Sequence, residues 1–159
     1  MDATPTRPFH IRSMTAVDRD AVLDLARSLA EFFPEDVIPM IETSLGKHPA
    51  LVGLLGEEIV GFLVYASREA NTSEIMWMGI KEDYHGLGLG SMLLETLERL
   101  LERKGINKLI ASTLAYTVKY KPFEKVRAFY YQRGFKSLGI QQNYYDDGVD
   151  RLILLKKLQ

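Results

Sequence analysis

The residues best suited to chemistry form a short glycine-rich segment near the middle of the chain. It reads His85-Gly86-Leu87-Gly88-Leu89-Gly90 and lies between a predicted strand and a predicted helix. Alternating glycines remove side chains where backbone amides could face a ligand, and the free N–H groups and dipole of a helix start favour an anion. A pyrophosphate matches several such amides in series. The alternative is a tight turn that uses glycine only for its backbone freedom.

Other phosphate-binding motifs fit this segment less well. It lacks the Gly-Lys-Ser/Thr of a Walker loop, and its spacing is G-x-G-x-G rather than G-x-G-x-x-G. The next predicted strand, 108–113, does not end in the acid that holds a ribose in a dinucleotide-binding fold. Kinase motifs are absent. The three histidines are isolated in sequence, without metal-ligand spacing, so no metal is expected.

The elements that position this segment alternate between strand and helix patterns. Seven segments have the apolar content of strands: 9–14, 50–55, 59–67, 73–80, 108–113, 135–142 and 149–156. Four have helical spacing or helix-boundary signals: 15–32, 36–45, 88–104 and 122–133. The order β-α-α-β-β-β-α-β-α-β-β predicts a mixed α/β (α+β) sheet covered by helices.

The third predicted helix has the clearest amphipathic pattern. Charged residues lie on one side of it, and its apolar stripe is expected to face the core. The stripe consists of Leu89, Met92, Leu93, Leu97 and Leu100.

Length and composition limit the number of domains and the classes of site that the protein can have. The 159 residues suit one domain, placed at 1–159 with a flexible 1–8. The absence of cysteine excludes disulfides, thiolate metal sites and a cysteine nucleophile. The amino terminus lacks a secretory pattern, and no apolar run approaches the roughly 18 residues of a membrane span. A cytoplasmic protein is therefore expected.

Charge argues against a nucleic-acid partner, as the lack of a membrane-spanning run argues against a membrane partner. The net charge is −1, without the basic footprint of a nucleic-acid-binding protein. Basic residues nevertheless dominate 103–136. Such a run is usually a solvated face, and the alternative is a field that attracts an anionic cofactor.

The glycine loop and a later helix together resemble the GNAT acetyltransferases. Members of that family have a strand, then Gln/Arg-x-x-Gly-x-Gly/Ala, then a helix, and the segment from His85 to Gly90 follows this pattern. They also have a helix ending in Phe-Tyr-x-x-x-Gly-Phe, which 129–135 matches. The resemblance covers roughly 9–158. It implies a GNAT-like, mostly antiparallel twisted sheet covered by about four helices, and acetyl transfer from acetyl-CoA to a primary amine.

Two residues depart from the family pattern. His85 stands where the family usually has Gln or Arg, and Phe123 stands where an asparagine often precedes the helix tyrosine. The resemblance implies a backbone cradle for acetyl-CoA that does not depend on the His85 side chain. The strand end before the loop is also expected to take the pantetheine arm and to supply an oxyanion donor. The implied cofactor-binding residues are Met78, Gly79, Ile80, His85, Gly86, Leu87, Gly88, Leu89, Gly90 and Ser91.

Glu74 is the candidate general base. An alkylammonium loses its proton near pH ~10.4, so a base must assist at neutral pH. Glu74 lies six residues before Ile80, where some GNAT members carry a catalytic glutamate. Strand alternation predicts apolar neighbours on its face of the strand, which would raise the pKa of the carboxylate. A solvated strand-end charge is the alternative role. Other candidate bases are Glu69, Glu82 and Asp83.

Tyr130 is the residue that the resemblance assigns to the departing thiolate. A tyrosine hydroxyl titrates near ~10 and a thiol near ~8.5, so full proton transfer is uphill by about 2 kcal/mol. We therefore expect mainly a hydrogen bond to the thiolate. The alternative is a core aromatic, because Phe123, Val126 and Tyr130 share one helix face.

The sequence leaves the acceptor open. A small amine, an amino acid, a peptide N-terminus and a protein lysine all fit, and the resemblance also allows a homodimer. The acceptor pocket is expected to draw on the first two helices and on 138–149, including Tyr144, Tyr145, Asp146 and Asp147. The alternative for the two aspartates is a turn. The alternative function is a non-catalytic acyl-CoA-binding or sensing module.

Overall fold

The computed structural model describes residues 8–145 and 148–159, and its elements follow the predicted order. The strands are β1 (Phe9–Ser13), β2 (Ala50–Leu55), β3 (Glu58–Ser67), β4 (Thr72–Ile80), β5 (Lys108–Leu114), β6 (Lys136–Gln141) and β7 (Arg151–Lys157). The helices are α1 (Arg19–Ser28), α2 (Ile38–Leu45), α3 (Leu89–Arg103) and α4 (Pro122–Gln132). The predicted flexibility of 1–8 falls, except for Pro8, outside the described residues.

The strands form one seven-stranded sheet in the order β1-β2-β3-β4-β5-β7-β6. Pairing is antiparallel in β1–β2, β2–β3, β5–β7 and β6–β7. It is parallel where Thr72–Ile75 of β4 meets Lys108–Ala111 of β5. Parallel neighbours need a crossover connection, and α3 supplies it. The mixed, mostly antiparallel sheet predicted from the sequence is confirmed.

The chain clusters into two compact units. The described residues up to Ala66 join Met76–Leu100 in the first unit, and Ser67–Ile75 joins Leu101–Gln159 in the second. The assignment of 1–159 to a single domain stays a prediction.

The core of the first unit lies between α1, α2 and the strands β2 and β3. Val22 of α1 and Ile41 of α2 are fully buried in one cluster with Val52 and Phe62 of the two strands. A smaller cluster, made by Leu55, Val60 and Leu89, fixes the start of α3; Phe9, Ile80, Tyr84 and Leu87 pack against it.

The buried stripe of α3 differs from the predicted one. Met92 is 42% exposed and Leu100 is half-buried, so both assignments to the core were wrong. A row spaced by four residues points inward instead, because residues at i and i+4 lie on one helix face. The buried leucines of α3 are Leu89, Leu93, Leu94, Leu97 and Leu101.

In the second unit, α4 lies against β5. Tyr130 of α4 is buried, as are Leu109 and Ala111 of β5. Arg127 donates from Nη1 to the carbonyl oxygen of Leu114 over 2.9 Å. Beyond the helix, Gly134 has a φ of 93°, and the chain turns back so that the amide of Phe135 bonds to the Tyr130 carbonyl oxygen at 3.1 Å. Gly134 thus ends the helix.

A buried carboxylate fixes the chain where it enters α1. Asp18 is 6% exposed and accepts from Arg12 Nη1 at 2.7 Å and Nη2 at 3.0 Å. It also accepts from the backbone amide of Thr15 at 2.8 Å, which is one of the two hydrogen bonds of a capping box between Thr15 and Asp18. The hydrogen bond from Arg12, followed by those from Thr15, lowers the pKa of Asp18 to about 2.

We predict that Asp18→Ala destabilises the protein at neutral pH by about 1.5–3 kcal/mol, the range for hydrogen bonds to charged groups. The folded pKa lies below the ordinary value of 3.8. The contribution of Asp18 is therefore present above pH 4 and is lost as the pH falls from about 4 towards 2. Urea unfolding across this range measures the difference from the parent protein.

The matched control is Asp20→Ala, which removes an exposed acid from the first turn of the same helix. Its cost should stay within about 0.5 kcal/mol. Equal losses in the two variants, or an Asp18→Ala loss that persists below pH 2, would contradict the assignment.

Candidate active site

The second half of β4 is held tightly in the first unit. Trp77 donates from Nε1 to Ser44 Oγ over 3.0 Å, and its ring lies edge-on to Phe33 with centroids 6.2 Å apart. A Cβ at Gly79 would lie 2.9 Å from Leu29 and 3.0 Å from Phe62. Gly79 therefore allows close packing of side chains on β4, which is a structural reason for the glycine in addition to the predicted cofactor role.

The connection from β4 to the glycine loop is closed by local bonds. Lys81 pairs with Glu58 at 2.7 Å, and this partner raises the pKa of Lys81. A short 3-10 turn, Glu82–Tyr84, follows. His85 then reaches back, and its Nε2 lies 2.6 Å from the carbonyl oxygen of Ile80. Because a carbonyl oxygen only accepts, Nε2 carries the proton. This hydrogen bond holds the start of the loop against the end of β4.

The glycines of the loop adopt backbone conformations that other residues disfavour. Gly86 and Gly88 have φ values of 80° and 82°, and a Cβ at either position would have no atom within 4 Å. The intervening leucines point the other way, since Leu89 is 4% exposed and Leu87 packs against the same cluster. The alternating sequence thus anchors the loop on one side and leaves the other side open.

Helix α3 begins directly after this open surface. The carbonyl oxygen of Gly88 accepts from the amide of Met92 at 3.1 Å, which is the first bond of the helix. First-turn N–H groups have no acceptor within a helix, and here the turn starts at Leu89 and Gly90. Together with the positive end of the helix dipole, they make the open side of the loop suited to an anion.

Glu74 lies in the second unit and is held by two arginines. Its Oε1 accepts from Arg68 Nε at 2.8 Å, and its Oε2 lies 3.5 Å from Arg151 Nη2. The Glu74 side chain is 17% exposed. Its polar partners are therefore guanidinium groups, whereas the sequence predicted apolar neighbours along the strand.

Arg151 is itself fixed on several sides. Its Nε donates to Ser112 Oγ at 2.9 Å and its Nη1 donates to Gln141 Oε1 at 3.1 Å. Its Cζ lies 4.4 Å from the ring centroid of Tyr144, a cation–π contact. Burial raises the pKa of the neighbouring Tyr145, and Arg151 opposes that rise.

The two arginines were missed by sequence reasoning. Arg68 lies in the turn between β3 and β4, where its backbone amide donates to the carbonyl oxygen of Thr72. A hairpin predicted over 67–73 would have placed Arg68 close to β4. Arg151 comes from the distant strand β7, and no local pattern links it to Glu74.

Tyr130 is buried among aromatic rings in the second unit. It is 6% exposed and lies edge-on to Phe129 and Phe135, with centroids 5.3 and 5.1 Å away. Burial raises the pKa of its hydroxyl, which stays protonated.

The remaining candidates are spread over the two units. Glu82 and Asp83 are exposed in the turn before the loop, and Glu69 is exposed in the second unit next to Arg68. Tyr144 is 48% exposed. Asp146 and Asp147 lie outside the described residues. Within 8–145 and 148–159, no group of three histidine or acidic side chains is placed to hold a metal ion.

Comparison with known proteins identifies the family. Residues 19–135 match the sequence profile of the acetyltransferase (GNAT) family. The chain belongs to the GNAT family. This GNAT chain is also 26% identical, over 92% of its length and 90% of the relative, to an uncharacterized N-acetyltransferase of Methanocaldococcus jannaschii. It is therefore an enzyme of the N-acetyltransferase type.

Solved structures share the fold of this GNAT enzyme. The ribosomal-protein-S18-alanine N-acetyltransferase from Escherichia coli has a TM-score of 0.79 at 21% identity, over 96% of this chain and 95% of that one. A GNAT family acetyltransferase from Elizabethkingia anophelis, with acetyl-CoA bound, has a TM-score of 0.74 at 20% identity, over 94% and 98%. No helix in the part of the chain described by the structure is long and apolar enough to cross a membrane.

Proposed function

We propose that this enzyme transfers the acetyl group of acetyl-CoA directly to a primary amine. The observation that carries the proposal is the open, positively polarised glycine loop at the start of α3. The family uses acetyl-CoA, and the Elizabethkingia anophelis relative has it bound. The open space at Gly86 and Gly88 fits a phosphate group, because a side chain at either position would occupy it.

The pyrophosphate of acetyl-CoA would be held by backbone amides from Gly86 to Ser91. The backbone of Met78, Gly79 and Ile80 would hold the pantetheine arm. The bound co-substrate supplies the acetyl group as a reactive thioester. His85 contributes through its bond to the Ile80 carbonyl oxygen, which fixes the approach to the loop without requiring a phosphate contact.

Glu74 is proposed as the general base, acting directly or through a water. Each of its oxygens accepts one guanidinium bond, and a carboxylate oxygen has a second lone pair available. An incoming ammonium or a water can therefore donate to Glu74 while both arginines stay in place. The arginines fix the carboxylate in one orientation, which is what a base must have to take a proton from a positioned amine.

A backbone N–H near Met78 to Ile80 is proposed to stabilise the acetyl oxygen as negative charge develops there. One such donor typically contributes about 2.7–4 kcal/mol. The close packing at Gly79 and the Trp77–Ser44 bond keep this stretch of β4 rigid. A rigid donor does not have to reorganise when the charge appears, and this increases its effect.

Tyr130 is proposed to donate a hydrogen bond to the departing thiolate. Its raised pKa makes complete proton transfer less favourable than for an ordinary tyrosine and keeps the hydroxyl a donor at all physiological pH values. A tyrosine hydroxyl at a buried position also favours a polar partner. The thiolate would supply that partner during the reaction.

The alternative function is an acyl-CoA-binding or sensing module without catalysis. The two arginine contacts of Glu74 favour it, because they also suit a carboxylate that acts only as a counter-ion. Release of coenzyme A from acetyl-CoA in the presence of an amine panel distinguishes the two functions. A sensing module would bind acetyl-CoA but would release no coenzyme A from it.

We predict that Gly88→Glu weakens acetyl-CoA binding at least about tenfold, because it adds bulk and a like charge at the phosphate position. Calorimetry measures the affinity. Gly105→Glu is the control, since Gly105 has a φ of 78° and equally open surroundings at the other end of α3. Both variants carry the same backbone strain, but only Gly88→Glu should lose affinity. A folded Gly88→Glu protein with parental affinity would refute the loop assignment.

We predict that Glu74→Gln lowers the rate about 10²–10⁴-fold at neutral pH, because glutamine cannot accept the proton. The loss should shrink as the pH approaches the pKa of the acceptor amine, where free amine forms without help. Steady-state rates across pH 6–9 test this, and Glu95→Gln serves as the control because Glu95 is an exposed acid on α3. Rates for Glu74→Gln within twofold of the parent would end the assignment and move attention to Glu69, Glu82 or Asp83.

We predict that Tyr130→Phe lowers turnover about 10²-fold while acetyl-CoA affinity stays within twofold. The ring keeps its packing between Phe129 and Phe135, and only the hydroxyl is lost. Tyr131→Phe is the control, because Tyr131 is 45% exposed on the same helix. If chemistry limits the rate and turnover is unchanged, Tyr130 is a core residue only.

A further inference from the structure

An open groove in the second unit adjoins the arginine that holds Glu74. It has a volume of about 620 Å³ and is lined by Ser67, Arg68, Glu69, Thr72 and Ile110. Volumes of roughly 300–1,000 Å³ are typical of small-molecule sites. Ile110 pairs with Glu74 across β4 and β5, so its strand places the groove beside the proposed base.

Arg68 presents unused donors to this groove. Within the described residues, its guanidinium is hydrogen-bonded only through Nε, to Glu74. The side chain is 41% exposed. A guanidinium bonded through Nε still has four N–H donors on its two Nη atoms, and these match the two oxygens of a carboxylate. The position of the Arg68 guanidinium is fixed, because its partner Glu74 is in turn held by Arg151.

The charged side chains of the groove and of its ion pairs are balanced in sign. Arg68 and Glu69 line the groove, and Glu74 is paired both with Arg68 and with Arg151. Two positive and two negative side chains leave no net charge. Such an arrangement selects neither a polyanion nor a polycation. It is complementary to a small molecule that carries one charge of each sign.

We propose that the acceptor is a zwitterionic amino acid whose carboxylate binds the Nη atoms of Arg68 and whose ammonium group faces Glu74. This inference rests on the proposed function, in which Glu74 receives the proton of the acceptor amine. Because Nε and the Nη atoms belong to one planar guanidinium, the ammonium and carboxylate sites lie a single guanidinium apart. That short separation fits an amino group and a carboxylate joined through one or two carbon atoms.

The test compares acceptors with and without the carboxylate. The common amino acids are supplied as free acids and as their carboxamides, and coenzyme A release gives kcat/KM for each. We expect the free acids to exceed their carboxamides at least about tenfold, the lower range for a hydrogen bond to a charged group. In Arg68→Gln the ratio of kcat/KM for free acid to that for carboxamide should fall to about one. Arg68→Lys should keep an intermediate ratio, because lysine retains the positive charge but not the paired N–H donors of a guanidinium.

The control is Arg103→Gln, which removes the same charge from the end of α3, outside the groove lining. It should keep the parental ratio. Carboxamides or carboxylate-free peptides acetylated as well as free acids, or a ratio unchanged in Arg68→Gln, would overturn the inference while leaving the acetyl transfer intact.

Direct binding separates this inference from the proposed function. Calorimetry with protein saturated with coenzyme A measures the affinity for each free acid and carboxamide without requiring turnover. If no amine is acetylated but free acids bind at least tenfold more tightly than carboxamides and lose that preference in Arg68→Gln, the carboxylate site stands and the catalytic proposal fails. If neither form is preferred in binding or in turnover, the carboxylate site is refuted.

Discussion

The backbone N–H groups at the start of α3 must stay accessible on one side of the glycine loop, while the other side of the loop is packed against the protein. Much of the first unit serves this requirement. Leu87 and Leu89 anchor the loop in a cluster with Leu55 and Val60, on strands far away in sequence. The glycines between them leave the opposite side bare. If the leucines were exposed, the loop would have no fixed conformation and its amides would not converge. The hydrophobic contacts of the cluster therefore determine the electrostatic character of the loop.

In the second unit, a different constraint applies, because charged groups with little exposure must be paired. Arg151 is only 15% exposed. Removing such a cation from water is unfavourable unless its N–H groups find acceptors, and Glu74, Ser112 and Gln141 provide them. These partners come from three different strands. The ion pair thus depends on the register of the sheet, and a slip of one residue would turn Arg151 to the other face.

The sequence predicted the elements well because their signals are local. Hydrophobic periodicity and glycine or proline boundaries placed every strand and helix within a few residues of its position, and the loop was found from five alternating residues. The inward face of α3 was predicted less well. Leucines occupy both sides of its stripe, so the choice between Leu100 and Leu101 depends on packing against other elements. The arginine partners of Glu74 were not predictable for a related reason, since cross-strand side-chain contacts are set by register, which no short pattern encodes.

Trp77 is the single tryptophan of the chain, and its position makes it an intrinsic fluorescence probe. The indole donates to Ser44 and lies edge-on to Phe33, three residues before the end of β4. Fluorescence excited at the indole band therefore comes from one place, on the strand that leads into the glycine loop. Changes in its emission follow the local environment of that strand without background from elsewhere in the chain, and no label has to be attached.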